Sequence, residues 1–273
     1  MTTDDVAPSP VTTPEPPPVG RQPVLEAVGL TMTFGGVQAL VDVNVAFNPG
    51  EICGLIGPNG AGKTTFFDCL TGVRQPTSGT IRYEGDDVTK RSATWRARHG
   101  MRRTFQRQQT FGWLPVEDNV LVALEWRGGG GGLFADLLAL PTRRTREKAR
   151  RERVQEVFEL CGLTQLRKEP AANLPIGRAR MVELARAVVD PPRVLLLDEP
   201  TSGLEESEAE NLAAVVQRLR QEEGCAVVLV EHDVPFVMRQ CDRVVVLDLG
   251  RVIADGPPEE VRNNEAVRAA YLG

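Results

Sequence analysis

The sequence is poor in the residues that build metal centres and disulfide frameworks. It contains five cysteines and two histidines among 273 residues. The cysteines are odd in number and form no CxxC pair, so we expect buried, reduced thiols rather than disulfides or metal ligands. The two histidines are too few, and too far apart, for a zinc site. The five cysteines are Cys53, Cys69, Cys161, Cys225 and Cys241.

Long apolar runs are also absent. No stretch approaches the roughly 18 residues that a helix needs to span a bilayer. Residues 1–23 are acidic and proline-rich and lack the apolar stretch of a secretory signal. They predict a disordered tail ahead of one domain at 24–273. We therefore expect a cytoplasmic protein whose contact with a membrane depends on a partner.

Composition and charge are those of an ordinary soluble domain. The chain is 41% hydrophobic and 25% charged, and its net charge of −5 does not indicate a dedicated nucleic-acid binder. Basic residues nevertheless cluster at 90–107 and 143–153. Each cluster fits a solvated helix face, or a surface that faces lipid headgroups or a membrane partner.

Strand and helix patterns alternate along the chain. Residues 24–57 alternate apolar and polar side chains between glycine turns, which predicts several partly antiparallel strands that lead to a buried strand at 52–56. Helices are predicted from Gly62 to about Leu70 and, with an amphipathic pattern, around 154–161. The segments "RVLLLDEP" and "CAVVLVEHD" read as further buried strands, separated by a helical stripe. This order favours a parallel sheet covered on both faces.

The segment "GLIGPNGAGKTTFF" carries the pattern GxxxxGK[ST] between a predicted strand and a predicted helix. Glycines let backbone N–H groups curl around phosphate oxygens, and the helix N-terminus adds the positive end of its dipole. The lysine reaches the outer phosphates and the following hydroxyl can ligate Mg²⁺. A chance glycine turn is the alternative, and the strand–loop–helix context disfavours it. The predicted nucleotide-binding residues are Gly57, Pro58, Asn59, Gly60, Ala61, Gly62, Lys63, Thr64 and Thr65.

Two carboxylates follow the buried strand "VLLL". Asp198 and Glu199 come at its carboxyl end, the edge where α/β sheets bind ligands. We expect Asp198 to hold Mg²⁺, directly or through water, and Glu199 to polarise the attacking water. Taken alone the pair could be a turn, but together with the phosphate loop it indicates a catalytic site.

With these motifs, the chain resembles the ATP-binding subunit of ABC transporters over nearly everything after the tail. The resemblance implies an α/β P-loop fold with a mostly parallel core sheet, an antiparallel β subdomain and a helical subdomain at about 107–190, and it implies ATP and Mg²⁺ as ligands. It further implies that Phe34 stacks on adenine, that Gln106 senses Mg²⁺ and contacts the membrane subunit, and that His232 contacts the γ-phosphate. The loop with Ser202, Gly203 and Leu204 would cross between two subunits.

The segment "LPIGR" stands where this family has LSGGQ, the signature that closes over ATP held by the other subunit. Pro175 replaces the serine, Ile176 the first glycine and Arg178 the glutamine, while Gly177 is kept. A helix N-terminus and a close backbone approach survive these changes, and Arg178 adds a cation. We expect a competent but altered half-site. A degenerate, poorly hydrolysing one is the rival interpretation.

"LPxG" followed by "ELARA", and the ending "GPPEEVRNNEAVRAAYLG", resemble the ATPase subunits of branched-chain amino-acid importers. The resemblance implies permease subunits, a second nucleotide-binding subunit that is a paralogue rather than a copy, and indirectly a solute-binding protein, at the cytoplasmic face of the membrane. A lipid or lipopolysaccharide exporter ATPase, and a soluble ABC ATPase acting on nucleic acid or ribosomes, are the alternatives. Residues 106–119 are predicted to dock a coupling helix of the membrane partner, although Trp113 fits core packing equally well.

Overall fold

The computed structural model describes residues 22–105, 109–124 and 140–272. Most of the predicted tail, residues 1–21, lies outside the described residues, as does Gln106. Within these ranges no helix is both long enough and apolar enough to cross a membrane.

The first part of the domain is an antiparallel sheet. Four strands pair in the order β2-β1-β4-β5. Gly35 and Gly36, both at positive φ, form the two-residue turn between the first two strands, as tight hairpins require. This confirms the antiparallel strands predicted before the phosphate loop. The strands are β1 (Leu25–Phe34), β2 (Val37–Phe47), β4 (Ser78–Tyr83) and β5 (Asp86–Asp87).

The second sheet is mostly parallel and carries the site at one edge. Its order is β10-β9-β3-β8-β7-β6, and only the pair β9–β10 is antiparallel. The central strands are continuous apolar runs because both faces of the sheet are covered. The strands are β3 (Ile52–Ile56), β6 (Met101–Arg103), β7 (Val194–Asp198), β8 (Ala226–Val230), β9 (Arg243–Asp248) and β10 (Arg251–Gly256).

Helices cover the parallel sheet and connect its strands. Among the described residues they are α1 (Lys63–Thr71), α2 (Ala93–Arg98), α3 (Val116–Val122), α4 (Leu140–Leu160), α5 (Ile176–Val188), α6 (Glu206–Glu223), α7 (Val234–Gln240), α8 (Pro258–Asn263) and α9 (Glu265–Leu272). The helix predicted around 154–161 is the second half of α4.

Alternate residues of one strand belong to two different cores. In β7, Leu195 and Leu197 pack with the helices of one face, and Val194 and Leu196 pack against the antiparallel sheet on the other. A parallel sheet covered on both faces is therefore confirmed. All five cysteines are free and buried, as predicted.

The first basic cluster is divided: Lys90, Arg91 and Arg98 are exposed, as a solvated face requires, but Arg96 is not. Arg96 is 1% exposed, and its guanidinium donates to the carbonyls of Cys69, Leu70 and Val88. It closes the end of α1, whose last carbonyls have no partner within the helix. Both interpretations of this cluster are wrong for Arg96 because the cation satisfies buried carbonyls.

Candidate nucleotide site and its partner-facing half

The phosphate loop, residues 57–65, lies between β3 and α1. Gly57 has a φ of +153°, and a Cβ there would lie 2.0 Å from the carbonyl oxygen of Leu247. Gly62 has a φ of +103°, and its Cβ would lie 2.5 Å from the carbonyl oxygen of Ala39. At both positions a side chain would collide with neighbouring backbone, so only glycine can occupy them.

Lys63 opens α1 and is buried within the loop. Its ammonium donates to the carbonyl oxygens of Gly57, at 2.6 Å, and Pro58, at 3.0 Å. Burial lowers the pKa of Lys63, while the charges of Glu199 and Asp198 oppose that shift. The ammonium therefore lies by the loop backbone and within the field of the carboxylates of Asp198 and Glu199, where the outer phosphates of a nucleotide require a cation.

The donors for a divalent cation are few. Thr64 is exposed at the mouth of the loop and Asp198 is buried at the end of β7. The described residues contain no group of three or more His, Cys, Asp or Glu side chains suited to a metal. One hydroxyl and one carboxylate fit Mg²⁺, which usually takes one or two protein oxygens and completes its shell with phosphate and water.

Glu199 and His232 come together at the ends of β7 and β8. The Nε2 of His232 lies 3.0 Å from the Oε1 of Glu199. Glu199 has a φ of +48°, a conformation that non-glycine residues avoid and that recurs at active sites. Its backbone N–H donates to the carbonyl of Val230, which fixes it to the neighbouring strand. The predicted pair of catalytic residues is thus adjacent.

Glu231 fixes the backbone next to this pair, at Thr201 and His232, and was missed by the sequence analysis. Its Oε1 accepts from the backbone N–H and the hydroxyl of Thr201, both at 2.7 Å, and its Oε2 accepts from the N–H of His232. Burial raises the pKa of Glu231, and these donors lower it. The available signal was a carboxylate directly after a buried strand and before His232.

The signature half-site, residues Pro175–Arg178, is the N-terminus of α5. Pro175 is the N-cap residue and supplies no side-chain cap. Ile176 is 60% exposed, whereas Gly177 is buried against α6. A Cβ on Gly177 would lie 1.9 Å from an Oε of Glu208, so a carboxylate sits beside the helix N-terminus, where its charge is favourable.

Arg178, the cation predicted to join the signature half-site, lies near the end of α4 in this structure. Its Nη1 lies 3.5 Å from the carbonyl oxygen of Gly162, at the end of α4. The guanidinium of Arg178 therefore lies at the C-terminal end of α4 in the same chain, where the last carbonyls attract a cation.

The predicted crossing loop lies next to the signature half-site. A Cβ on Gly203 would lie 3.4 Å from Ile176, and Arg180 donates to the carbonyl of Ser202 at 3.1 Å. Glu205 begins α6 in a capping box with Glu208. These contacts place the loop and the half-site on one surface.

Phe34 lies at the end of β1 and is partly exposed. The guanidinium carbon of Arg74 is 5.3 Å from the centre of its ring. The ring thus stacks with a guanidinium of the same chain; its stacking on adenine stays a prediction. The role predicted for Gln106 rests on a residue outside the described ranges.

A parallel sheet, a glycine loop pressed against backbone, a buried lysine and carboxylates at the strand ends define a P-loop nucleotide-binding ATPase domain. Comparison with known proteins then identifies its family. The sequence model of the ABC transporter family matches residues 40–202, and that of the branched-chain amino acid ATP-binding cassette transporter matches residues 251–273.

Individual proteins agree with the two family matches. The chain is 40% identical over 252 residues to the high-affinity branched-chain amino acid transport ATP-binding protein BraF of Pseudomonas aeruginosa, covering 92% of this chain and 98% of that protein. It is 41% identical to the protein LivG of Escherichia coli K12, with the same coverage. The ADP conformation of MJ1267, an ATP-binding cassette of an ABC transporter, superposes with a TM-score of 0.78 at 26% identity, covering 92% of this chain and 99% of that one. The chain belongs to the ABC transporter family and is one of its nucleotide-binding ATPases.

Proposed function

We propose that this ATPase powers the import of branched-chain or related amino acids through permease subunits at the cytoplasmic face of the membrane. The observation that carries the proposal is the assembled site: the buried Lys63 and the Glu199–His232 pair, at the same sheet edge. Support for the solute comes from the transport function in the names of BraF and LivG, whose whole length this chain matches.

Two nucleotide-binding subunits close face to face on two ATP molecules in this proposal. Each ATP lies between the phosphate loop of one subunit and the signature half-site of the other. The exposed Ile176, and Gly203 beside it, belong to the surface that meets the partner. We infer that the second subunit is a paralogue, and that the solute-binding protein acts only through the permease.

Hydrolysis uses the groups at the ends of β7 and β8. Glu199 accepts a hydrogen bond from water and polarises it. The water oxygen bonds to the γ-phosphorus, the bond from that phosphorus to the β–γ bridging oxygen breaks, and the water gives up a proton through Glu199, which yields ADP, phosphate and a released proton. His232, beside Glu199, contacts the γ-phosphate. Bound Mg²⁺, held by Thr64 and Asp198 and monitored by Gln106, would neutralise phosphate charge.

The membrane partner docks on residues 109–119, here named the docking surface. Trp113 is 80% exposed, so the interpretation of Trp113 as a core residue is wrong. Asn119 is fully buried, and its side chain bonds to the backbone of Phe111, Leu114 and Pro115. The aromatic side chains therefore stand on a fixed loop, which suits them to anchor a helix of the permease.

Membrane reconstitution with the permease and the second nucleotide-binding subunit tests the proposal. We expect ATP-dependent uptake of a radiolabelled branched-chain amino acid with the wild-type chain. Uptake should disappear with Glu199→Gln and persist with the exposed control Glu259→Gln. Equal uptake with wild-type and Glu199→Gln chains would exclude the assigned mechanism.

A further inference from the structure

Arg103 occupies a position that the mechanism above does not use. It ends β6, and its side chain is 7% exposed. One arm of the guanidinium, Nη1, donates to the Oδ1 of Asp68 at 2.7 Å. The other, Nη2, donates to the Oδ2 of Asp198 at 2.9 Å. A single planar cation thus joins α1 to the carboxylate expected to hold Mg²⁺.

Aromatic rings fix the plane of this guanidinium. Its central carbon lies 5.6 Å from the ring centre of Phe67 and 4.9 Å from that of Phe105. A planar, weakly hydrated guanidinium stacks on such rings and binds two acceptors at once, whereas a lysine ammonium is a point charge. The arrangement therefore requires arginine for its geometry and not only for its charge.

Asp68 does not depend on Arg103 alone for charge compensation. Its Oδ2 also accepts from the Nε of Arg74 at 3.1 Å, and Arg74 lies over Phe34. Asp198 is more deeply buried, and a buried carboxylate needs a cation or hydrogen-bond donors. The structural consequence of losing Arg103 therefore falls mainly on Asp198.

We propose that Arg103 is a positioning residue for the Mg²⁺ site: it holds one oxygen of Asp198 so that the carboxylate keeps a single orientation towards the cation. This inference rests on the proposed binding of Mg²⁺ and ATP. Carboxylates that bind metals are commonly oriented by such outer partners.

The same side chain lines a cavity of about 280 Å³ next to the docking surface. Phe105, Gln109, Glu183 and Arg186 also line it. Arg103 therefore touches the carboxylate of the metal site on one side and the cavity beside the proposed permease contact on the other.

Titration of Mg²⁺ into the purified chain with a fluorescent ATP analogue tests the inference without hydrolysis. Arg103→Met should raise the Mg²⁺ concentration at half-maximal binding about tenfold or more. Nucleotide affinity in excess EDTA should stay within about twofold of wild type, because Arg103 contacts the metal carboxylate and not the phosphate loop. The Mg²⁺ midpoint of Arg103→Lys should lie between those of wild type and Arg103→Met, because lysine keeps the charge but cannot bind two carboxylates at once as the guanidinium does.

Arg220→Met is the matched control. Arg220 also pairs with a carboxylate, Asp242, and with a backbone carbonyl, that of Gly50. It should leave the Mg²⁺ midpoint unchanged. Should Arg103→Met fail to fold, Arg103→Lys and Asp68→Asn carry the test, and both should raise the midpoint.

An unchanged Mg²⁺ midpoint in folded Arg103 variants, with a lowered melting temperature, overturns the inference and leaves Arg103 a structural ion pair. If the wild-type chain shows no Mg²⁺-dependent nucleotide binding, the proposed function fails, and the inference with it. The two failures are distinguished by the wild-type titration.

Discussion

The phosphate loop and the signature half-site are both helix N-termini suited to phosphate, yet the chain holds them differently. In the phosphate loop, neighbouring backbone fixes Gly57 and Gly62, and Lys63 is buried and hydrogen-bonded. In the signature half-site, Pro175 supplies no side-chain cap and Ile176 is exposed. The phosphate loop is therefore fixed by contacts within one chain, whereas the signature half-site exposes its residues at the surface.

The difference extends to charge. Lys63 brings a cation to the phosphate loop, whereas the signature half-site has the carboxylate of Glu208 beside Gly177. A carboxylate stabilises the N-terminus of α5 in the single chain, and it opposes an arriving phosphate. In the proposed dimer, nucleotide binding would therefore belong to the phosphate loop of one chain, and we expect closure to require that Glu208 give way to the partner's nucleotide.

Loss of Glu199 should have the largest effect. Glu199→Gln removes the carboxylate that orients water, so hydrolysis should fall by about 10²- to 10⁴-fold while ATP binding persists. Phosphate release and equilibrium ATP binding measure the two halves of the prediction. Normal hydrolysis in this variant would remove Glu199 from the catalytic role.

Loss of Lys63 should weaken ATP binding by the phosphate loop, the half-site that is formed within one chain. Lys63→Ala deletes a charge-assisted contact to phosphate, so ATP affinity should fall about ten- to a hundredfold. The exposed Lys90→Ala serves as control and should bind as wild type. Undiminished affinity in Lys63→Ala would contradict the assignment of the phosphate loop.

A methyl group on Gly177 should impair only the signature half-site, which the proposal places against the partner subunit. In Gly177→Ala the Cβ would collide with the carboxylate of Glu208 and disturb the N-terminus of α5, which the proposal places against the partner's nucleotide. ATP-driven pairing of subunits should weaken about tenfold, while ATP binding to the single chain stays unchanged.

Gly256→Ala is the control for this change, because its Cβ would also face a glutamate, Glu260, but away from both half-sites. Analytical ultracentrifugation measures the pairing. Equal pairing of the two variants would remove Gly177 from the interface.

Restoring the hydroxyl of the signature should have the smallest effect. Pro175→Ser places a good capping residue at the N-cap, which stabilises a helix by about 1 kcal/mol. Hydrolysis should stay within about twofold of wild type or rise modestly, because the cap adds little to a helix that is already formed. Pro191→Ser, at another exposed proline, controls for the substitution. A collapse of activity in Pro175→Ser would make the proline itself a functional part of the site.

The phosphate-loop half of the site was predictable from the sequence because its signals are local. A strand, the glycine spacing and the start of a helix lie within one short segment. The apolar run of β7 likewise predicts a buried strand, and with it that Asp198 and Glu199 lie at the carboxyl end of that strand. The antiparallel sheet, the parallel sheet and the reduced cysteines followed from equally local patterns.

Contacts between distant residues could not be predicted in the same way. Arg103 meets Asp68 and Asp198 across 35 and 95 positions of sequence, and nothing in its spacing marks either partner. The same applies to Arg96, whose acceptors are carbonyls of another helix, and to Glu208 beside Gly177. The fold brings these residues together from distant parts of the sequence, so their partners can be identified only from the three-dimensional structure.

The central claim is that two half-sites on different chains complete each other around ATP. Its most direct measurement is the mass of the Glu199→Gln protein in solution, alone and with the second nucleotide-binding subunit of its transporter. With Mg²⁺ and ATP we expect a two-subunit particle, and with ADP separate subunits. Separate subunits under every nucleotide condition, from protein that binds ATP, would contradict the claim.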